Sequence, residues 1–325
     1  ISAIRLKYKN LEVYSSPRHL AVMVKNLQKK QEDQISEIKG PNVNSPNAAL
    51  EGFLSSHNIS KDRLVKKTIS KGEFYFLERL DKGKDSFCLM PEIINQLIRN
   101  LNWPKSQRWA NTEIKWGRPL RNILAIIDNK IVKGSFNLGN NEKICFNNYT
   151  FGHRNFNKKI IIKNPENYKK LLRNYGVFVD RIERQNFIKE RLNFVSSKNN
   201  LHFFLDNTLL DEVSGLVEFP NILLGKIEKK FMKLPFEVLS TSMKIHQKYF
   251  SVLSKNKKIA PYFLVVSNTP PNNIRDKTVI KGNERVLRAR LSDALFFWET
   301  DSLANFEEWL ESLKDVVYYD KLGSL

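Results

Sequence analysis

The apolar positions of this chain change rhythm several times, and each rhythm predicts an element. Leu20 to Val24 follows Ser16-Pro17, where the proline holds its predecessor in extended backbone, and reads as a strand. Gln28 to Ser45 is polar and broken by Gly40-Pro41 and Ser45-Pro46, which predicts a loop. Asn47 is placed to cap a short helix through Leu54, Phe74 to Leu80 reads as a strand after Lys71-Gly72, and Pro91 suits the first turn of a helix toward Leu101. Leu120 to Ile127, Ile131 to Phe136 and Ile144 to Phe151 read as strands, the last two joined by the Asn- and Gly-rich turn Asn137 to Asn141. Asn164-Pro165 caps a helix to Tyr175, Val177 to Val179 is a short strand, and Asp180 starts a helix to about Ser197. Leu209 to Leu224 is apolar enough to be mostly buried, with a break at Pro220, and strands follow near Tyr249 to Leu253 and Tyr262 to Ser267.

Lys281 to Phe297 reads as one helix with Asn283 as its cap and Val286, Leu287, Leu291, Ala294, Leu295 and Trp298 at helical spacing. Arg285 and Arg288 lie off that stripe. Glu284 stands four residues before Arg288, and Arg290 three before Asp293, so local pairing within the helix competes with any outside role. A final amphipathic helix from Asp301 to about Val317 is acidic, with Glu299, Asp301, Glu307, Glu308, Glu311, Asp315 and Asp320 outweighing Lys314 and Lys321. Strands and helices mix without steady alternation, which predicts an α+β fold with mixed or antiparallel sheets and packed helices.

A chain of 325 residues with 41% hydrophobic side chains buries a substantial core in one large or two modest domains. Its longest apolar runs, such as Ile123 to Ile127 and Tyr262 to Val266, fall far short of the roughly 18 to 20 residues a membrane span needs, so no membrane partner is expected. Cys88 and Cys145 are too few for a disulfide framework or a cysteine-based zinc site and suit a reducing cytoplasm. Net charge is +20, divided as +6 over residues 1–100, +13 over 101–200 and +1 over 201–325. Such a surplus raises affinity for a polyanion through phosphate contacts. Abundant Asn and Ile suggest an AT-rich genome that inflates Lys, so the arginines, with a planar fork suited to phosphate, are more informative.

Several chemistries find no support. Gly134 to Asn141 has glycine spacing but no lysine for a phosphate-binding loop, and reads as a hairpin turn; no GxGxxG occurs. None of the five histidines, His19, His57, His153, His202 and His246, has another His or Cys within four residues. A lone histidine near a strand end, as in Gly152-His153-Arg154, is more often structural than catalytic, and His246 in His246-Gln247-Lys248 is weighed the same way. No GxSxG elbow offers a serine nucleophile. Asp211, Glu212 and Glu218 are read as carboxylates that cap or pair with arginines.

Ser16-Pro17-Arg18-His19-Leu20-Ala21, Lys39-Gly40-Pro41 with Gly52-Phe53, Arg108-Trp109, Arg118-Pro119, Gly152-His153-Arg154 with Phe156, and Asp180 with Arg184 are followed by Leu209 to Pro220, His246 to Phe250, Pro261 to Asn268 and Lys281 to Phe297. In this order they resemble the beta subunit of the bacterial tetrameric glycyl-tRNA synthetases. Gln107 and Ala110 depart from the family's more frequent Met and Gly, and Arg121 stands where many members carry His. The resemblance implies the N-terminal half of such a subunit. Residues 1–298 would resemble the B3/B4 module of phenylalanyl-tRNA synthetase, with a lobe boundary near 115–160, and 299–325 would begin a helical HD-like domain. The missing parts would be a short N-terminal piece, most of the HD-like domain and the C-terminal anticodon-binding domain.

It further implies a cytoplasmic glycine-tRNA ligase of alpha2beta2 form. In that family the alpha subunit uses ATP and Mg to make glycyl-adenylate while beta handles the tRNA, so no cofactor bound by this chain is expected, and neither DNA nor a membrane is a partner. Arg118, Arg154, Arg285, Arg288 and Arg290, then Arg18 and Lys248, are the expected contacts to RNA or to the alpha subunit, with no catalytic and no metal-binding residue. Two other classes stay open at this point: a hydrolase domain that deacylates mischarged tRNA, and a generic basic RNA-binding protein.

Overall fold

The computed structural model describes residues 5–256, 258–303, 305–319 and 323–324. The chain forms two compact units. One takes Val22–Thr150, Lys163–Pro165 and the described part of Ile1–Glu12; the other takes Val13–Ala21, Phe151–Ile162 and the described part of Glu166–Leu325.

The hairpin β1 (Asn10–Ser16) and β2 (His19–Lys25) contributes to both, its tip counted with the second unit. The first unit continues with β3 (Gln34–Asn42), α1 (Asn47–His57), β4 (Leu64–Ile69) and β5 (Gly72–Asp81), the strands forming an antiparallel sheet of order β3-β5-β4. Here the polar stretch expected to be a loop is an edge strand. Its register shifts between Lys39 and Asn42, where Gly40-Pro41 stands, because a proline with no N–H is accommodated at an edge or a bulge. Alternation was masked because its inward positions include Ser36 and Gly40, and the Phe53 ring of α1 lies against Gly40.

Helix α2 (Ser86–Asn100) starts earlier than Pro91 suggests. Asp85 caps it by accepting from the Phe87 N–H at 2.7 Å, and Pro91 falls inside the helix, where it removes one backbone bond. The remaining strands of this unit are short: β6 (Ile123–Leu124), β7 (Ile126–Ile127), β8 (Lys130–Ile131), β9 (Ser135–Gly139) and β10 (Glu142–Asn147). Strand β10 pairs antiparallel with β9 and parallel with β6. The β9–β10 turn is a hairpin at Asn140 and Asn141, both with left-handed φ, of 50° and 66°, which asparagine tolerates. Ile98, Trp116, Ile123, Val132, Phe136 and Phe146 form the core.

Strand β11 (Tyr149–Phe151), whose first two residues are counted with the first unit, pairs with β12 (Lys159–Ile161), and in the second unit α3 (Tyr168–Asn174) leads into α4 (Arg181–Lys198). Val177–Val179 is buried but belongs to none of the described sheets; the Phe178 N–H donates to the Glu218 carbonyl, and the stretch is a connector rather than a strand. Asp180 caps α4 as expected, accepting from the Ile182 and Glu183 N–H groups. Then come β13 (His202–Phe203), α5 (Asn207–Leu216), β14 (Pro220–Lys226), α6 (Phe236–Thr241), β15 (Phe250–Leu253), β16 (Ile259–Asn268), α7 (Asn273–Leu303), α8 (Phe306–Leu313), β17 (Val317–Tyr319) and β18 (Gly323–Ser324).

The sheet β13-β15-β16-β14 is antiparallel and covered on both faces. Ile222 and Leu264 pack with Ile188 and Leu192 of α4 and Leu209 and Val213 of α5. The alternate residues Leu223, Phe263 and Val265 pack with Leu287 and Leu291 of α7. Period-two alternation with both sets apolar gives strands that read as continuous hydrophobic runs.

Helix α7 is longer than the sequence suggests. Asn272 caps it: its side chain accepts from the Arg275 N–H while Asp276 accepts from the Asn272 N–H. Asn283 lies in mid-helix instead of capping, donating to the Val279 carbonyl and accepting from the Tyr249 hydroxyl at 2.6 Å. Leu287 and Leu291 are buried as the stripe predicts, whereas Val286 and Trp298 are exposed. The helix runs to Leu303, and α8 is a separate element capped by Asn305. The acidic run of Glu307, Glu308 and Glu311 is exposed, while Asp320 and Lys321 lie outside the described residues. Among the described residues, no helix is long and apolar enough to cross a membrane.

Candidate functional site

Four separated stretches of the second unit meet at one carboxylate. Glu218 lies between α5 and β14, at the end of the apolar Leu216-Val217, and is 1% exposed. Its Oε1 accepts from the Ser16 hydroxyl at 2.8 Å and faces the His19 Nδ1 at 2.9 Å, and its Oε2 accepts from the Arg18 Nε at 2.8 Å. The β1–β2 turn places these three side chains together, and Ser16 Oγ also accepts from the His19 N–H. The outer atoms are held by backbone: Arg18 donates to the Gly152 carbonyl at 2.7 Å, and His19 Nε2 stands 2.9 Å from the Phe151 carbonyl oxygen. Both His19 ring nitrogens thus face oxygens, and a ring protonated on both donates to both.

Asn268, the last residue of β16, completes the cluster. Its Oδ1 accepts from the Glu218 N–H at 2.9 Å, the Phe219 N–H at 3.1 Å and the His153 Nε2 at 3.1 Å. His153 is fully buried, and its Nδ1 accepts from the Asn155 N–H, which assigns the ring proton to Nε2. Gly176 closes against this histidine with φ of +73°; a Cβ there would stand 2.5 Å from the Phe156 ring.

The electrostatics follow from this packing. Burial alone would raise the Glu218 pKa, but the hydrogen bond and charge of His19, the charge of Arg18 and the Ser16 hydroxyl outweigh it and hold the carboxyl at about 2. Burial pushes His153 below the usual histidine range against the opposing hydrogen bond to Asn268. Nearby, Arg184 is 1% exposed and spans the chain by donating to the Ser214 carbonyl at 2.7 Å and to the Phe178 carbonyl; burial lowers its pKa to about 10.

Serine, histidine and carboxylate here do not form a nucleophile relay. A relay needs the base to offer one nitrogen to serine and the other to the acid, whereas Ser16 and Glu218 share His19 Nδ1 and Ser16 donates its proton to Glu218. The arrangement is an electrostatic clamp that ties the β1–β2 turn to the β14 edge of its sheet. Among the described residues, no three His, Cys, Asp or Glu side chains gather to hold a metal ion.

The expected contact residues divide in two. Arg18 is bound to Glu218, Lys248 to Glu212 at 2.8 Å and Arg288 to Glu228. Arg118, Arg154, Arg285 and Arg290 are exposed, with no ion pair among the described residues. Arg118 belongs to the first unit and the other six to the second. Pairing inside α7 is also replaced: Glu284 accepts from the Lys226 N–H at 2.8 Å, so Arg288 turns to Glu228. Lys226, Glu228, Tyr262, Glu284 and Arg288 line a cavity of about 410 Å³ whose charges are of both signs.

Asn268, His19 and Ser16 had no assigned role in the sequence. A usable signal was Glu218 itself, an acidic residue in the apolar Leu216-Val217-Glu218-Phe219 run, where burial demands cationic partners.

A mixed α+β architecture clamped by Arg18, His153, Glu218 and Asn268 is the class of protein these observations define. The profile described as glycyl-tRNA synthetase beta subunit matches residues 1–325. Glycine–tRNA ligase beta subunits are 41% identical over 319 residues in Rickettsia akari (strain Hartford), 42% over 320 in Rickettsia bellii (strain OSU 85-389) and 39% over 319 in Rickettsia prowazekii (strain Madrid E). Each alignment covers 98% of this chain and 47% of the relative, so the chain spans about half the length of the curated relatives it matches. The chain belongs to the glycyl-tRNA synthetase beta subunit family.

Proposed function

We propose that this chain is the tRNA-handling, noncatalytic part of a cytoplasmic glycine-tRNA ligase, supporting ATP-dependent attachment of glycine by binding both glycine tRNA and a catalytic alpha subunit in an alpha2beta2 assembly. ATP and Mg belong to the alpha subunit in this reading. The observation that carries it is family membership across the whole chain. Residues 1–298 are assigned a B3/B4-like architecture, with 299–325 opening a helical HD-like domain. Arg118, Arg154, Arg285 and Arg290 are the available contacts to RNA or partner. Arg18, Lys248 and Arg288 reach either one only by giving up a carboxylate.

The test is to mix the complete polypeptide with the alpha subunit and measure assembly and tRNA glycylation. Assembly together with glycylation that neither subunit achieves alone is expected. Glycylation by alpha at the same rate without this chain would overturn the proposal.

A further inference from the structure

We infer that the segment between α2 and β6 is a phosphate-binding surface on which the RNA rests, a refinement of the tRNA-handling reading above and dependent on it. Between Trp103 and Asn122 stand Lys105, Arg108, Lys115, Arg118 and Arg121 against a single carboxylate, Glu113. All five cations are exposed, and none forms an ion pair among the described residues. Elsewhere several cations are held by carboxylates: Asp211 binds Arg181, Glu212 binds Lys248 and Glu228 binds Arg288.

The segment is nevertheless fixed in shape, by contacts that use none of these charges. Gln107 and Trp116 exchange backbone hydrogen bonds at 3.0 and 3.1 Å. The Trp103 and Trp116 rings pack with centroids 5.0 Å apart, and Gly117 admits the Trp103 ring where a Cβ would stand 2.7 Å from it. Glu113 N–H donates to the Leu138 carbonyl, and Asn140 donates to the Asn111 carbonyl. The isolated antiparallel bridge at Gln107 and Trp116 brings the two cation-bearing stretches, with Lys105 and Arg108 on one and Lys115 and Arg118 on the other, side by side.

Like charges carried on one frame repel one another, and the frame's single carboxylate, Glu113, pairs with none of them among the described residues. The counter-charge comes from outside the unit, and a row of phosphates is the chemistry that guanidinium forks and ammonium groups match together. Contacts of this kind position an RNA without reading its sequence.

The experiment measures binding of a glycine tRNA transcript to the assembled complex across a salt series, using Arg108→Gln/Arg118→Gln/Arg121→Gln and the charge-retaining Arg108→Lys/Arg118→Lys/Arg121→Lys. Removing three phosphate contacts is expected to weaken binding about 10- to 100-fold and to lower the salt slope by about 2, whereas the lysine variant keeps the slope. An unchanged slope in the glutamine variant, with an unchanged melting curve, overturns the inference while leaving the functional reading standing. So does loss of alpha-subunit assembly with tRNA binding intact, which would make this a protein-facing surface. Failure of the unmodified complex to bind tRNA overturns the functional reading itself. If the glutamine triple variant does not fold, Lys105→Gln/Lys115→Gln carries the same test with an expected slope change of about 1.5.

Discussion

Glu218 and the segment Trp103 to Asn122 treat positive charge in opposite ways. At Glu218 one buried carboxylate collects Arg18 and His19 from a turn some 200 positions earlier in sequence, and both of its oxygens accept hydrogen bonds. In the segment, five cations stand on a tryptophan-packed frame without an ion pair among the described residues. The first spends its charges on holding the fold; the second leaves them available. The difference teaches that a count of arginines says little about RNA binding until each one's partner is known, since Arg18 and Arg118 are equally basic in sequence, yet Arg18 is bound to Glu218 and Arg118 has no ion pair among the described residues.

Replacing Glu218 should break the comparison most severely. Glu218→Gln removes the charge that answers Arg18 and His19 in a buried setting, and a loss of about 3 to 5 kcal/mol is expected in urea unfolding. A loss no larger than that of a surface substitution would mean the clamp is not structural. Next is Asn268→Ala, which strips the acceptor from two backbone N–H groups and from His153. About 1 to 3 kcal/mol is expected, read as a lowered urea midpoint with an unchanged slope.

Acid should separate the two regions more gently. The folded pKa of His153 is depressed, so the unfolded chain takes that proton first; stability is present above pH 6.5 and declines as pH falls below it. Glu218 is also depressed, from 4.5 to about 2, and its contribution is present above pH 4.5 and lost as pH falls toward 2. Urea midpoints measured from pH 8 to pH 3 should therefore fall in two stages, and His153→Gln should remove the upper one. A single stage near pH 4 in the unmodified chain would contradict the burial of His153. The smallest effect is expected from Arg108→Gln/Arg118→Gln/Arg121→Gln, which should alter stability by no more than about 0.5 kcal/mol per site because these side chains form no ion pair among the described residues. Greater destabilisation would show the segment using its charges internally.

Much of the scaffold was legible. Asp180 as a cap, Phe74 to Leu80, the turn at Asn140 and Asn141, and the strands β15 and β16 of the second unit's sheet follow from local rules that act within a few residues, whereas β14 was read only as a buried stretch broken at Pro220. The misread elements have local causes too. Gly40-Pro41 looks like a loop because a bulged edge strand tolerates both residues, and Asn283 looks like a cap because nothing nearby in sequence announces Tyr249. The candidate site was legible only in parts: Arg18 was singled out, and Glu218 was expected to pair with an arginine, but not which one.

What the chain determined by itself was composition, charge asymmetry, the period of its apolar residues and the strings that mark its family, because these depend on neighbours a few positions apart. What only the tertiary structure decided was which cations are bound and which stand free. An ion pair depends on distance in space, and at Glu218 the partners come from positions 16, 18 and 19, brought within 3 Å by a fold that no short window of sequence contains.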